Sequence, residues 1–201
     1  MQPDKMSLRP LLSEPCPQTK LSGKEFEDIV MERLRKLHKS HVAHITRYGT
    51  IASRMKGADG KMVTMAKPSL PDFEGLYQGR QMIFDAKVCS QLRFDLNKFS
   101  PYTKGPRRRQ LTHMYDRSEY GAACFFLLHW NATSKGGAET WAVPVHRHHS
   151  FWSLFERGEL YSIRRDSIRL LGVPVRWNKD KREKTLRPDM EGLFRQLCAS
   201  A

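Results

Sequence analysis

The stretch PSLPDFEGLYQGRQMIFDAKV, residues 68–88, decides the fold because its pattern is that of two strands joined by a short turn. Apolar and aromatic residues bounded by turn-forming ones predict strands over 72–77 and 80–88. The intervening Gln78-Gly79 pair suits a two-residue hairpin turn, in which glycine adopts positive φ at little steric cost. The stretch therefore predicts a β-hairpin whose register follows from its turn.

That register brings acidic residues together. A two-residue turn pairs Tyr77 with Arg80, and the same register places Asp72 opposite Asp85. Directly opposed residues on neighbouring strands have Cβ atoms about 5 Å apart. Residues two apart on a strand share a face, so Lys87 lies on the same side as Asp85. We therefore predict one site that contains two carboxylates and one ammonium group.

This trio of side chains suggests metal-dependent chemistry. Two neighbouring carboxylates repel each other unless a cation neutralises them. Mg²⁺ is typically held by one or two carboxylates, with water and phosphate oxygens in the other positions. Asp72 and Asp85 are thus candidate metal ligands, and Lys87 would orient or deprotonate an attacking water or stabilise a phosphorane. The alternative is a turn residue at Asp72 and a surface ion pair between Asp85 and Lys87.

The composition favours a polyanionic partner. The 201 residues include 35 Lys and Arg against 21 Asp and Glu, a formal net charge of +14. Such an excess favours nucleic acid, because neutralising phosphates releases condensed counterions; the alternative is a merely basic surface. No apolar run approaches the roughly 18 residues of a membrane span. The four cysteines lack zinc-site spacing, so we expect reduced thiols in a soluble intracellular protein with no membrane partner.

The order of predicted elements indicates a mixed α/β fold. Residues 1–20 are expected to form a flexible leader, and residues 21–201 a single domain. Ser22 and Glu25 have the spacing of a capping box and open a helix. The apolar face of this helix has helical period and consists of Phe26, Ile29, Val30, Leu34 and Leu37. Patterns further along the chain predict strands at 41–48, 122–130 and 137–144, and helices at 108–120, 145–158 and from about 188.

Two basic segments are candidate DNA contacts, since Lys and Arg at exposed positions bind phosphates. The polar segment at about 47–68 is expected to project as a hairpin or loop. Its basic residues are Arg47, Arg54, Lys56, Lys61 and Lys67. The second segment leads into the predicted helix at 108–120 and contributes Lys104, Arg107, Arg108 and Arg109. The alternatives are a solvated loop and a solvated helix start.

Four segments, in order, resemble the PD-(D/E)xK nuclease superfamily, and most of all its RecU branch of Holliday-junction resolvases. The central segment is PDFEGLYQGRQMIFDAKV. GKEFED precedes it, RQLTHM follows it, and YSIRRDSI with GVPV comes near the end. The resemblance covers most of residues 21–198.

The resemblance implies roles for individual residues. Asp72, Asp85 and Gln110 would help to bind Mg²⁺ or Mn²⁺. Lys87 would stabilise the transition state. Glu27 would be the helical acid that supports the metal or its water.

The resemblance also implies a fold and an activity. The fold is restriction-endonuclease-like, a mixed β-sheet core flanked by helices, with a projecting basic stalk at about 47–68. The activity is that of a structure-selective endodeoxyribonuclease, a homodimer that resolves Holliday junctions by paired nicking in the cytoplasm of a bacterium or phage-infected host. Two alternatives stay open: a related nuclease acting on duplex, flap or fork DNA, and a junction-binding protein that does not cleave.

The chain departs from the family pattern at several positions. Leu70 and Pro71 stand where the family has a threonine pair, so one expected metal ligand is missing. Asp85 replaces the usual glutamate, and Arg109 replaces the histidine before Gln110. The stalk segment is also shorter than in typical members. These departures bear on metal position and junction selectivity.

Overall fold

The structure is a computed structural model. It describes residues 20–48, 52–56, 62–66, 70–89, 91–100, 102, 106–133, 137–179 and 185–199, with the backbone alone for 52–56, 62–66, 106 and 150. The predicted leader therefore lies outside the described residues, apart from Lys20. None of the described helices is long and apolar enough to cross a membrane.

The described residues form helices and mostly short strands. The helices are α1 (Gly23–Lys39), α2 (Pro106–Glu119), α3 (Ser150–Glu156), α4 (Arg165–Leu171) and α5 (Met190–Ala199), with a 3₁₀ turn at Asn97–Phe99. The strands are β1 (Ala43–Arg47), β2 (Ala52–Lys56), β3 (Met62–Ala66), β4 (Phe73–Tyr77), β5 (Arg80–Cys89), β6 (Arg93–Asp95), β7 (Ala123–Trp130), β8 (Glu139–Pro144), β9 (Ser162–Arg164), β10 (Val173–Pro174), β11 (Trp177–Lys179) and β12 (Leu186–Pro188).

A six-stranded sheet in the order β1-β4-β5-β7-β8-β10 lies at the centre. Strands β5 and β7 are parallel, and the other neighbouring pairs are antiparallel. A parallel pair needs a crossover connection, which α2 supplies between β5 and β7. The predicted mixed sheet flanked by helices is confirmed. The parallel pairing was not predicted, because a hydrophobic pattern does not reveal strand direction.

Helix α1 begins where the sequence predicts. The Glu25 N–H donates to the Ser22 hydroxyl at 3.3 Å, and the Ser22 N–H donates to the Glu25 carboxylate at 2.7 Å. This capping box satisfies two otherwise unpaired donors. The predicted apolar face is buried at Phe26, Val30, Leu34 and Leu37, and partly buried at Ile29.

The β4–β5 hairpin has the predicted register. Its Gln78–Gly79 turn has φ values of 49° and 81°, both positive as a type I′ turn requires. Phe73 pairs with Phe84, so the next pair outward sets Asp72 against Asp85. The turn thus positions the two carboxylates at the open end of the hairpin.

The two faces of the sheet carry separate cores. On the α1 face, helices α1 and α5 pack on residues such as Phe84 and Phe125, whose rings stack at 4.7 Å. On the α2 face, α2, α3 and the 3₁₀ turn pack on the alternate residues, including Ile83. Because side chains alternate along a strand, Asp85 and Lys87 belong to the α2 face.

A neutral polar cluster lies within the core of the α1 face. His129 is buried, and its Nδ1 lies 2.9 Å from Oγ1 of Thr140. The Nε1–H of Trp177 donates to the same Oγ1 at 2.9 Å, and the His129 ring stacks on Phe26 at 5.1 Å. Burial lowers the pKa of His129 to about 4, so the imidazole is neutral at physiological pH.

One expected segment differs in detail, and another takes one of its two expected forms. The helix expected over 145–158 is shorter, because α3 begins at Ser150 after His149, whose Nδ1 accepts from the Phe151 N–H at 3.3 Å. The stalk segment forms an antiparallel hairpin of β2 and β3, a two-stranded sheet of its own. The turn of this hairpin lies outside the described residues.

Candidate active site

Asp72, Asp85 and Lys87 meet on the α2 face. Nζ of Lys87 lies 3.2 Å from Oδ2 of Asp72 and 2.6 Å from Oδ2 of Asp85. Backbone groups hold both carboxylates: the Ala86 N–H donates to Asp72 Oδ2 at 3.1 Å, and the Asp72 N–H donates to Asp85 Oδ1 at 3.3 Å. The structure therefore brings the three residues together as the register predicts.

Burial governs the charges of this cluster. The Asp85 side chain is 0% exposed, whereas those of Asp72 and Lys87 are 21% and 23% exposed. Burial raises the pKa of Asp85; attraction to Lys87 opposes this effect and repulsion from Asp72 adds to it. Burial alone would lower the pKa of Lys87, but attraction to Asp85 and Asp72 outweighs burial and raises it. The site thus contains a carboxyl group whose ionised form a bound cation would stabilise.

The donor set fits a hard divalent cation. Oδ2 of Asp85 is buried and, despite its contact with Lys87, no donor reaches it with hydrogen-bond geometry. In the described part of the chain, no three His, Cys, Asp or Glu side chains cluster to hold a metal by themselves. Two carboxylates nevertheless match the number that typically holds Mg²⁺. Asp72 and Asp85 are the residues that fit this role.

Glu27 borders the cluster and is itself paired. Its carboxylate contacts the guanidinium of Arg47, whose other terminal nitrogen lies 3.1 Å from Oδ1 of Asp28. Burial and then repulsion from Asp72 raise the pKa of Glu27, against the opposing effects of Arg47 and Lys87. This repulsion indicates that Glu27 lies within electrostatic range of Asp72. Arg47 is paired with helix α1 in this structure, and its contact with DNA stays a prediction.

Gln110 fixes the chain just before Asp72. Its side chain is buried, and its Nε2 donates to the carbonyl oxygen of Leu70 at 2.9 Å. Leu70 occupies one of the two positions where a threonine was expected, and its backbone takes this hydrogen bond. The structure thus connects Gln110 to the segment that leads into β4 and carries Asp72. The role of Gln110 as a metal ligand stays a prediction.

A second contact, missed by the sequence analysis, joins α2 to the same strand. Glu74 accepts from Gln81 Nε2 at 2.6 Å, and its Oε2 lies 3.8 Å from Nε2 of His113. Glu74 follows Asp72 by two residues, and His113 follows Gln110 by three, so α2 contacts the chain on both sides of Asp72. The two-residue spacing along the strand could have identified Glu74.

The arginines at the start of α2 have different environments. Arg109 is exposed and Arg107 is half-buried. Arg108 forms a bidentate pair with Glu156, with N–O distances of 2.6 and 2.9 Å. This pair occupies the two terminal nitrogens of the guanidinium, and the contact of Arg108 with DNA stays a prediction.

The remaining predicted DNA contacts belong to the stalk segment and to the segment that leads into α2. Arg54 and Lys56 lie on β2, where the backbone alone is described. The others lie outside the described residues: Lys61, Lys67 and Lys104.

Comparison with protein families decides the assignment of the chain. Residues 21–182 match the family model described as "Recombination protein U", RecU. The chain belongs to the RecU family. RecU proteins are Holliday junction resolvases, so the predicted family is confirmed, and the function of this RecU chain is that of a junction-resolving endonuclease. The matched residues include the whole cluster around Asp85.

The comparison with solved structures adds a distant likeness. It includes Hjc, a Holliday junction resolvase from the archaeal hyperthermophile Archaeoglobus fulgidus. That protein is 17% identical over 73% of this RecU chain and 93% of its own, with a TM-score of 0.42. A comparison with curated proteins gives no match.

Proposed function

We propose that this RecU chain cuts four-way DNA junctions by metal-dependent paired nicking, with Asp72, Asp85 and Lys87 as its catalytic centre. The observation that carries the proposal is one ammonium group in contact with two carboxylates, one of them fully buried. Burying a carboxylate is unfavourable unless something compensates it. Titratable groups with perturbed pKa values are concentrated at functional sites.

Asp72 and Asp85 would hold the metal, Mg²⁺ or Mn²⁺. When bound, such an ion polarises the scissile phosphate and acidifies a water molecule. Asp85 would be the rigid ligand, because its strand pairs with β4 on one side and with β7 on the other. Asp72, which is partly exposed, would be the ligand on the substrate side.

Lys87 would stabilise the negative charge that develops on the phosphate oxygens. Its ammonium donates to Asp72 and contacts Asp85, and these two carboxylates favour the protonated form. A protonated lysine donates hydrogen bonds and does not accept a proton. The electrostatic role is therefore favoured over deprotonation of the attacking water.

Glu27 and Gln110 would position the groups around the centre. Gln110 holds the carbonyl of Leu70, two residues before Asp72, and so limits the movement of that carboxylate. Glu27 lies within electrostatic range of Asp72, and we assign it the role of orienting a water beside that ligand. The pairing of Glu27 with Arg47 reduces the repulsion between neighbouring acids.

Branched DNA is the substrate that the charge and the fold favour. The net charge of +14 supports phosphate binding, and Arg107 and Arg109 lie at the start of the helix that carries Gln110. The β2–β3 hairpin is inserted between β1 and β4, directly before Asp72 in the chain, as a junction-entering stalk would be. A junction has no unique base sequence, so its geometry would be recognised. Paired nicks require two active sites and hence a homodimer.

The test uses purified protein with a labelled four-way junction and a linear duplex of matching sequence, in Mg²⁺, in Mn²⁺ and in EDTA. Wild type is compared with Asp72→Asn and Lys87→Ala. Asp166→Asn is the matched control, since that carboxylate lies on α4 with its side chain 88% exposed. The expected result is paired nicking of the junction alone, abolished by EDTA and by both active-site changes and retained in the control.

Other outcomes favour the alternatives. Equal cutting of the linear duplex would keep the chemistry and overturn the junction preference. Tight junction binding without cleavage in either metal would identify a protein that binds junctions and does not resolve them.

A further inference from the structure

Two histidine side chains meet where helix α1 is followed by strand β1. Nδ1 of His38 lies 3.0 Å from Nδ1 of His44, and both residues are exposed. The ring centroids are 4.6 Å apart, and the ring planes are inclined to each other by 68°. The proposed catalytic centre contains neither residue, so this contact needs an explanation of its own.

A short turn fixes the positions of the two histidines. Helix α1 ends at Lys39, and β1 begins at Ala43. Between them His41 adopts a φ of 57°, the left-handed conformation in which many helices end. His38 thus belongs to the last turn of a packed helix, and His44 to a strand that pairs with β4. A ligand that binds both rings therefore loses little free energy to ordering the backbone.

The geometry of the pair is unlike that of a good imidazole–imidazole hydrogen bond. Such a bond is strongest when the N–H points at the lone pair of the other ring. With nitrogens 3.0 Å apart, collinear ring axes would place the centroids about 5.3 Å apart. The observed separation is 4.6 Å, so the ring axes are not collinear along the line between the nitrogens.

One metal ion bound to both nitrogens accounts for the two distances. An ion about 2.05 Å from each Nδ1 would see them at an angle of about 94°, and ligation in the ring planes would put the centroids about 4.7 Å apart. The observed 4.6 Å agrees with this value. An angle near 90° suits the tetragonal geometry of Ni²⁺ and Cu²⁺, and tetrahedral Zn²⁺ needs the nitrogens only slightly further apart, at about 3.3 Å.

The ligand type separates this pair from the catalytic centre. Imidazole nitrogen suits Zn²⁺, Ni²⁺ and Cu²⁺, whereas Mg²⁺ takes oxygen ligands such as those of Asp72 and Asp85. No third His, Cys, Asp or Glu of the described ranges completes a set around the two rings, so water would fill the other positions. His44 also lines a groove of about 840 Å³, which gives this water room. A site with two protein ligands binds its ion reversibly.

We propose that His38 and His44 chelate one divalent transition-metal ion of the Zn²⁺, Ni²⁺ and Cu²⁺ class and so fasten the C-terminal end of α1 to β1. The same helix and strand carry Glu27 and Arg47, whose ion pair borders the catalytic centre. An ion at the other end of α1 would therefore stabilise the packing that positions Glu27. The site itself does not depend on the proposed function.

The experiment measures Ni²⁺ binding to the full chain by isothermal titration calorimetry, in excess Mg²⁺ to compete for the carboxylates. His38→Gln and His44→Gln each remove one nitrogen ligand at an exposed position. The matched controls are His146→Gln and His148→Gln, which alter a second exposed pair whose ring centroids are 5.5 Å apart. Circular dichroism melting establishes that each variant is folded and measures any stabilisation by Ni²⁺.

The expected result is one Ni²⁺ site per wild-type chain whose dissociation constant rises on the order of 30-fold in each of His38→Gln and His44→Gln and stays unchanged in the controls. The melting temperature of wild type should rise with Ni²⁺ concentration, because the ion binds the folded state. Equal dissociation constants in wild type and in both site variants would overturn the proposal, and so would an equal weakening in the controls.

Electron spin echo spectroscopy with one equivalent of Cu²⁺ counts the bound imidazoles directly. Wild type should show two coupled imidazoles, and either site variant should show one. A single imidazole in wild type would overturn the proposal even if Cu²⁺ binds. Neither measurement uses DNA, so a chain that binds the ion and cuts no junction would overturn the proposed function alone. A chain that cuts junctions in Mg²⁺ and lacks the Ni²⁺ site would overturn this inference alone.

Discussion

Two polar clusters lie on opposite faces of the same pair of strands. Val88, the neighbour of Lys87, pairs with His129 on β7. On the α2 face, burial raises the pKa of Asp85, and one of its oxygens lacks a hydrogen-bond donor. On the α1 face, His129 is bonded to Thr140 and stays neutral because burial lowers its pKa to about 4.

The two clusters differ in the charge that their buried groups carry. The cluster around His129 holds neutral groups: Thr140 bonds to Nδ1 of His129 and to Trp177, while Nε2 of His129 has no hydrogen-bond partner among the described residues. Each of these hydrogen bonds contributes on the order of 1 kcal/mol to folding. In the cluster around Asp85, burial and repulsion from Asp72 disfavour the ionised carboxylate, and a bound cation would stabilise it. Changes in the first should therefore alter the free energy of unfolding and leave cleavage unchanged, whereas changes in the second should alter cleavage and make the free energy of unfolding depend on metal.

The largest expected effect is the loss of cleavage in Asp85→Asn. The amide keeps the shape of the side chain and removes the charge that would bind the metal. Metal ions contribute several kcal/mol to such transition states, so junction cleavage should fall on the order of 10³-fold. The unfolding midpoint in EDTA should stay near or above that of wild type, because the variant no longer buries a carboxylate. A single-turnover cleavage rate within about tenfold of wild type would contradict the assignment of the Asp85 cluster to catalysis.

The next largest effect is expected for Lys87→Ala, which should lower the free energy of unfolding when no metal is present. Removal of the ammonium leaves Asp72 and the buried Asp85 without their cation. Losing one partner of a buried ion pair lowers the free energy of unfolding by about 3 kcal/mol. Urea denaturation in EDTA measures this loss, and Mg²⁺ should recover more of it than it adds to wild type. Lys24→Ala, at an exposed lysine, is the control. An equal gain in the free energy of unfolding on adding Mg²⁺ to all three proteins would contradict the idea that Lys87 and the metal neutralise the same carboxylates.

The pH dependence of stability should report on His129. The folded pKa, about 4, lies below the ordinary value of 6.5, so the unfolded chain takes up this proton first as pH falls. The stabilisation is therefore complete above about pH 6.5 and is lost as pH falls towards 4, by about 2 kcal/mol between pH 7 and pH 5. His129→Phe should remove this part of the pH dependence. Parallel urea-denaturation profiles for wild type and the variant would show that His129 is not buried as a neutral group.

The smallest expected effect belongs to Thr140→Val. Its hydroxyl oxygen serves both His129 and Trp177, so the variant leaves two buried groups without their shared partner. The free energy of unfolding should fall by about 1 to 2 kcal/mol, measured in urea at pH 7. Junction cleavage by the folded variant should match wild type, and a large loss of cleavage would remove the distinction between the clusters.

The local parts of the fold could be predicted from the sequence. The capping box at Ser22 and the turn at Gln78 depend on neighbouring residues, so their signals are local. The parallel β5–β7 pair depends on a crossover through α2, which hydrophobic periodicity does not encode. Strands β6 and β9–β12 have only two or three residues each, too few to show a period.

The same distinction applies to the candidate site. Asp72, Asp85 and Lys87 belong to one hairpin, so turn length and side-chain alternation were sufficient to bring them together. The contact of Arg47 with Glu27 and the bidentate pair of Arg108 each depend on how a helix packs against another element. Such packing follows from the whole core, and no local pattern specifies which charges will meet.

The Gln78–Gly79 turn also limits how the hairpin can change during evolution. One residue inserted between β4 and β5 would reverse the parity of β5, so that Asp85 and Lys87 would enter the core of the α1 face and Phe84 would take their place. A point substitution in the hairpin alters one contact, whereas an insertion of odd length exchanges the two faces of an entire strand. We therefore expect related sequences to vary in the composition of this turn and to preserve its length.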